Sequence, residues 1–304
     1  MAVPDGRLTN TDLEQLLDTS DTWIVERTGI RERRVAAPGD TSATLGAEAG
    51  AAAIKAAGLT PSDIGLVLVA TCTPPQVLPS TAALVQEMLG LRCGALDIGA
   101  ACAGFVYGLV AAAGMSTDQP ALLIGAETLT RITDPDDRST RILFGDGAGA
   151  AVLGRPADPS AGLLAWDLGC DGSAAPLLEI PVHDRYMRME GKEVFRRAVR
   201  IVVESAGLAL DRAGLTAADV DVFVPHQANL RIIEASCSRL AIPVERAVVN
   251  LDRYGNTSAA SIPMALAEAA EEGRIEPGDI VLLSGFGAGM TWASAVLRWD
   301  GEPA

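Results

Sequence analysis

One stretch of this chain is written twice, 156 residues apart, and the repeat constrains the fold more than any other feature. Ala57-Gly58-Leu59-Thr60-Pro61-Ser62-Asp63-Ile64 leads into the apolar run 66–70, and Ala213-Gly214-Leu215-Thr216-Ala217-Ala218-Asp219-Val220 leads into 222–226. Alanine-rich helical segments, residues 43–57 and 193–213, precede the two copies. Glycine before Leu-Thr stops each helix, and the aspartate opens the turn into a short β-branched strand.

The similarity continues downstream. Residues 80–89 and 229–240 each predict a helix. Ala95-Leu96-Asp97-Ile98 and Ala247-Val248-Val249-Asn250-Leu251 follow, and then two small-residue turns, 99–104 and 254–260. Strands alternating with helices predict right-handed crossovers and mainly parallel sheet. Two facing halves, 1–156 and 157–304, give an α/β fold: a five-layer αβαβα sandwich with ligands at strand C-terminal ends, where loops of both halves meet. One strand lacks a counterpart. Residues 163–168 open the second half as a strand, whereas the matching position near residue 7 follows a turn-like Val-Pro-Asp-Gly. The first half is therefore expected to lack its first strand.

Composition narrows the function. With 304 residues, 49% of them hydrophobic and 21% charged, the chain buries a large core and is not disordered. A net charge of −15 repels phosphate backbones, and 4% aromatic residues make a poor stacking platform, so nucleic acid is excluded as a general partner. An anionic partner needs a local arginine cluster, because Lys55 and Lys192 are the only lysines. Five scattered cysteines read as reduced and cytoplasmic. No apolar run reaches the ~18 residues of a membrane span, and the first residues have no secretory pattern.

Three residues stand where chemistry needs them. Cys102 follows an apolar strand and begins a helix among small neighbours; a helix N-terminus favours thiolate and offers N–H groups to an oxyanion. The bland alternative is small-residue core, since free cysteine is often buried. His226 ends the second repeat strand, and the only other histidine, His183, lies in a predicted loop. Asn256 sits in the second turn, within two residues of the repeat equivalent of Cys102; asparagine there is ordinarily a turn former. Together they suit acyl transfer to sulfur followed by carbanion chemistry, with imidazole and amide N–H groups holding an enolate. No cluster has metal-ligand spacing. The glycine-rich runs 144–150 and 284–289 lack a Walker lysine and the dinucleotide pattern, and read as tight backbone approaches.

These motifs resemble β-ketoacyl-acyl-carrier-protein (ACP) synthase III, the initiating condensing enzyme of type II fatty acid synthesis, which has a thiolase-like fold. The resemblance rests on Asp18-Thr19-Ser20-Asp21-Thr22-Trp23 and the following residues to Arg33, Ala100-Ala101-Cys102-Ala103-Gly104-Phe105, Phe144-Gly145-Asp146-Gly147, Val224-Pro225-His226-Gln227-Ala228-Asn229 and Tyr254-Gly255-Asn256-Thr257-Ser258. It implies that Cys102 takes an acyl group from a short acyl-CoA, with the oxyanion held by the N–H groups of Cys102 and Gly287. His226 and Asn256 then stabilise the enolate left when malonyl-ACP loses CO2, and a 3-oxoacyl-ACP is released. No cofactor is implied beyond these substrates. Matching positions assign Trp23, Arg27, Thr28, Arg138, Gly191, Phe195 and Asn229 to the CoA channel. Arg231, Arg196, Arg197 and Arg239 are assigned to docking of acidic ACP. Leu78 matches a loop that reaches a partner subunit's acyl pocket, implying a homodimer and tolerance of branched or longer primers. Ala288 replaces one glycine of a triple, and the segments after Cys102 and around 181–189 are shorter than the family's.

Two rival readings keep different parts of this constellation. A starter-unit loading acyltransferase of natural-product assembly needs Cys102 and His226 but no decarboxylation. A non-catalytic carrier-binding homologue needs none of the three.

Overall fold

The computed structural model describes residues 1–115, 118–155 and 158–301. A small cap opens the chain: β1 (Gly6–Thr9), α1 (Asn10–Glu14), α2 (Asp21–Thr28) and β2 (Glu32–Val35). The first half continues with α3 (Ser42–Ala56), β3 (Leu66–Ala70), α4 (Thr81–Met88), β4 (Gly94–Ile98), α5 (Gly104–Met115), β5 (Ala121–Thr128), α6 (Arg138–Arg141) and β6 (Asp146–Leu153). The second half begins with β7 (Gly162–Cys170), β8 (Leu178–Glu179), β9 (Arg188–Met189), α7 (Gly191–Ala213) and β10 (Val222–Pro225). It ends with α8 (Leu230–Leu240), α9 (Leu251–Tyr254), α10 (Ser261–Glu271), β11 (Ile280–Gly287) and β12 (Thr291–Arg298). The boundary expected between residues 156 and 157 lies outside the described residues.

The repeat is carried into local structure. Gly58 and Gly214 both adopt left-handed backbone (φ 65° and 70°) where α3 and α7 stop. Thr60 and Thr216 then each donate N–H and hydroxyl to the carboxylate three residues on, at 2.6–2.8 Å, closing the same turn into β3 and β10.

Alternation along the strands assigns the layers. Val67 and Val69 face one core with α3 and α4, while Leu68 faces a second core with α5 and α10. Val222 and Val224 share that second core, and Phe223 faces a third with α7 and α8. The order is thus α3/α4, sheet, α5/α10, sheet, α7/α8: the five-layer sandwich. No helix among the described residues is long and apolar enough to cross a membrane.

Three details depart from the sequence expectation. The sheets are mixed rather than mainly parallel: the order β4-β3-β5-β6 contains two parallel pairings and an antiparallel β5–β6, and β10-β11-β12-β7 contains one parallel and two antiparallel pairings. The tight connection from β11 to β12 leaves no room for a crossover helix. The absent first strand is reduced to a single bridge, in which Ala2 and Ala148 exchange N–H···O bonds of 2.8 and 2.9 Å beside β6. Pro4, lacking an N–H, cannot extend that ladder, and the chain turns away to pair β1 with β2. The segment 247–251 likewise forms one bridge, Phe223 to Ala247. Beyond it the Gln227 amide substitutes for a strand, donating to Pro225 O and Val248 O and accepting from Asn250 N–H.

The two halves meet through glycine. A Cβ at Gly149 would overlap the backbone of Pro263 and Met264, and one at Gly125 would overlap the Ala259 carbonyl. Gly149→Ala is expected to cost about 2–3 kcal/mol, read as a lowered urea midpoint. Gly154→Ala, with nothing within 4 Å of the added methyl, is expected to change stability by less than about 0.5 kcal/mol.

Candidate active site

Cys102 lies in a three-residue 3-10 turn, Ala101–Ala103, that runs directly into α5. Ala101, just before it, is forced to φ 47°, a left-handed conformation that costs an L-residue roughly 1–2 kcal/mol. The counterpart turn begins at Ser258 with φ 48° and runs into α10, so the repeat extends to the strained residue itself. Crowding explains the small side chains. A Cβ on Gly287 would stand 2.6 Å from Cys102 N, and one on Gly285 3.2 Å from Cys102 O. The end of β11 is thereby pressed against the backbone of the Cys102 turn.

His226 follows β10 and is buried, its N–H bonded to Ser284 O at 2.8 Å. Its Nδ1 lies 2.6 Å from Ser261 Oγ, and Phe286 packs edge-on at 5.5 Å. Asn256 is held at both backbone polar groups: its N–H donates to Leu143 O (2.8 Å) and its carbonyl accepts from Gly145 N–H (3.0 Å). Its Oδ1 accepts the Ser258 N–H at 2.9 Å, which leaves Nδ2 as the free donor. Cys102, His226, Asn256 and Gly287 line one cavity of about 180 Å³, with Leu143, Phe144 and Phe286 among its walls.

Burial rules the electrostatics. It pushes the Cys102 thiol up to about 12, against a smaller lowering by the Ser258 hydroxyl, and pushes His226 down to about 3. The empty site therefore rests as thiol and neutral imidazole. Burial thus works against the thiolate that the helix N-terminus favours. Glu127, at the end of β5, adds to this. It is fully buried, accepts two contacts from the Cys72 N–H (3.0 and 3.1 Å) and the Thr73 hydroxyl (2.6 Å), and its charge raises Cys102 further.

Outside the cavity, Trp23 on α2 carries the Arg138 guanidinium at 4.9 Å and that of Arg27 at 5.5 Å from its ring centroid. Arg138 is braced by Asp18 O at 2.6 Å. Gly191, Phe195 and Asn229 line the cavity itself, and Asn229 also caps α8 and donates to Arg27 O at 3.0 Å. Thr28 differs. It is buried and its hydroxyl donates to Ile24 O while accepting the Ile30 N–H, so it offers no donor to a ligand.

The four arginines are not equivalent. Arg231 stacks on Phe195 at 5.7 Å, at the cavity wall, and Arg239 is exposed at the far end of α8. Arg196 and Arg197 share Glu193, and Arg197 also pairs with Asp171 at 3.1 Å, which ties it down. Leu78 does not reach the cavity of its own chain and is 82% exposed. The segment 178–189, expected only to be short, closes as a β8–β9 pair that supplies Leu178 and Met189 to the cavity. Sequence reasoning missed Ser261, Ser258, Phe286 and Glu127. Ser258, Ser261 and Phe286 lie in or at the end of the motifs and Glu127 lies outside them; Ser261 and Phe286 earn their place through His226, Ser258 through Cys72 and Cys102 across the two halves, and Glu127 through its charge beside Cys102. Among the described residues there is no metal-binding cluster of histidine, cysteine and carboxylate.

Alkylation of Cys102 by iodoacetamide tests the resting state. With the thiol at about 12 and the imidazole neutral above about 3, the rate should climb steadily from pH 6 to 9, with no inflection near 6.5. A plateau below pH 8 would show a stabilised thiolate.

Comparison with known proteins agrees with this geometry. The family model described as 3-oxoacyl-[acyl-carrier-protein] synthase III matches residues 96–172, and its C-terminal companion matches 210–299. The β-ketoacyl-[acyl-carrier-protein] synthase III of Roseiflexus castenholzii is 49% identical, over 99% of this chain and 96% of that protein. The crystal structure of the Aquifex aeolicus 3-oxoacyl-[acyl-carrier-protein] synthase III superimposes with a TM-score of 0.93 at 44% identity, over 98% of this chain and 97% of that one. The Thermus thermophilus β-ketoacyl synthase III does so with a TM-score of 0.92 at 47% identity, over 99% and 97%. With identity near 50% and the same fold over almost its whole length, the chain belongs to the β-ketoacyl-acyl-carrier-protein synthase III family.

Proposed function

We propose that the chain joins a short acyl-CoA primer to malonyl-ACP by decarboxylative condensation, initiating type II fatty acid synthesis, with Cys102, His226 and Asn256 as its catalytic residues. The observation that carries these roles is the single cavity lined by all three side chains and by Gly287. The chain is an acyltransferase of its family, and the retained Asn256 donor favours condensation over simple acyl loading.

In the first half-reaction Cys102 Sγ attacks the thioester carbonyl. The Cys102 and Gly287 N–H groups, brought close by the glycine contact, receive the oxyanion. The C–S bond to CoA breaks, and the thiol proton leaves with CoA as its free thiol. The sulfur gives up its proton as it attacks, since the thiolate is the nucleophile, and the acyl thioester that results is neutral. In the second half-reaction the malonyl C–C bond breaks, CO2 departs, and its electron pair forms an enolate. With Nδ1 of His226 accepting from the Ser261 hydroxyl 2.6 Å away, the ring proton stands on Nε2. Nε2–H and Asn256 Nδ2–H then hold the enolate oxygen. The carbanion attacks the acyl-cysteine, and the departing thiolate takes a proton from solvent. The reaction consumes only its two substrates and one proton, so no cofactor is called on.

Trp23 with its two guanidiniums suits the adenine and phosphates of CoA. Arg231, with the more exposed Arg196 and Arg239, suits acidic ACP, whereas Arg197 is occupied by its ion pairs. A homodimer is supported by β4, a half-covered strand at the edge of its sheet, beside the exposed Val77 and Leu78. Across that edge the Leu78 loop would complete the partner's acyl pocket.

Intact-protein mass spectrometry after incubation with acyl-CoA should give one acyl adduct, lost in Cys102→Ala; an adduct surviving that change would overturn the nucleophile. Arg231→Glu should slow CO2 release from malonyl-ACP by about tenfold while leaving Cys102 acylation near its original rate. Equal loss in both half-reactions would remove Arg231 from docking. In competition, branched or longer acyl-CoAs should rival acetyl-CoA, and strict acetyl preference would refute the assignment to Leu78.

A further inference from the structure

Arg33 is fully buried, yet it has no carboxylate partner within 4 Å among the described residues. A guanidinium is costly to desolvate and normally keeps a counter-ion when buried. Here three carbonyl-type oxygens replace it: Nη1 donates to Leu8 O (3.0 Å) and Asn10 Oδ1 (2.9 Å), and Nη2 donates to Ile142 O (2.7 Å). Burial, helped by the nearby Arg141 charge, pulls its pKa to about 10, so it stays charged at neutral pH. A hydrophobic residue would fill this space at lower cost, which calls for a reason to keep the cation.

The geometry points to Arg33 as the positioning residue for Asn256. Ile142, which Arg33 grips, is followed by Leu143, Phe144 and Gly145. Those residues hold Asn256 through both of its backbone groups and form a parallel bridge with it. The aliphatic stem does the rest. Arg33 Cβ lies 3.1 Å from where a Cβ would stand on Gly145 and on Gly255, so both segments are packed directly on it. Gly255 is in the left-handed region (φ 68°) immediately before Asn256. Arg33 therefore clamps the two strips of backbone between which Asn256 hangs, and its own far anchor is Asn10, tied to Asp21 and Ile30 O. Moving that clamp displaces Nδ2 without touching Cys102, His226 or Gly287.

The inference rests on the proposed role of Asn256 as enolate donor, and the test separates the two. Arg33→Lys keeps the charge but loses the two-armed grip; Asn10→Ala removes one anchor and serves if Arg33→Lys fails to fold. Each variant is compared with Asn256→Ala and with the corresponding double variant. Acylation of Cys102 by acyl-CoA is followed by intact mass, and CO2 release from malonyl-ACP separately. A misplaced donor should slow CO2 release by about tenfold or more, leave acylation within about twofold, and add almost nothing on top of Asn256→Ala. Parallel loss in both half-reactions, or additive loss in the double variant, would make Arg33 a purely structural residue and overturn the inference. If Asn256→Ala alone leaves CO2 release intact, the donor role of Asn256 fails instead, and the positioning role falls with it.

Discussion

Backbone touching backbone between the two halves is the contact on which everything else in this molecule depends. Gly125 and Gly149 let β5 and β6 lie against the start of α10, and Gly285 and Gly287 let β11 lie against the Cys102 turn. Gly104 admits Ala70 at the foot of α5. At each of these points even a methyl group is in the way, so the strand ends of the two sheets converge more closely than ordinary side-chain packing allows. That convergence turns a symmetric sandwich into one cavity with donors from both sides. It also accounts for the composition, poor in aromatics and rich in glycine and alanine.

Close approach brings dryness, and dryness sets the chemistry. Cys102, 8% exposed as a residue, and His226, 3% exposed, both lose the solvation that their charged forms need. Many cysteine enzymes hold a thiolate–imidazolium pair at rest, but this site holds neither ion. Such neutrality suits the proposed role of His226, donation from Nε2 to an enolate. Glu127 points the same way: a carboxylate held by backbone and hydroxyl donors, and without an arginine or lysine within 4 Å among the described residues, disfavours a second negative charge on Cys102.

The repeat made the sandwich and the meeting of Cys102, His226 and Asn256 legible, because a 156-residue offset places equivalent turns at equivalent strand ends. Helices 43–57 and 193–213 were readable within a residue or two from their alanine content and glycine stops. What stayed hidden depends on partners distant in sequence. Strand direction in β12 follows from its tight connection to β11 rather than from composition. The bridge at Ala2 depends on Ala148, and the lost strand at 247–251 depends on a glutamine side chain taking over backbone bonds. Thr28 matched a ligand-binding position by alignment of motifs, but its hydroxyl is spent on α2. The opposing effect of burial on the Cys102 thiol stayed hidden for the same reason: the helix end is visible in a sequence, and the depth of burial is not.

Cavity size bears on why the acyl group must be stored on sulfur. About 180 Å³ is below the roughly 300–1,000 Å³ of sites that enclose a drug-sized ligand. In the proposed reaction primer and extender use this small space in turn. The first carrier then leaves its acyl group behind before the second arm enters the cavity that Phe195 and Asn229 help to line. A neutral acyl-cysteine is the form of storage that this dry wall tolerates best, since it requires no charge to be carried between the two visits. The proposed covalent storage is in keeping with this confinement, and the confinement follows from the glycine contacts that join the halves.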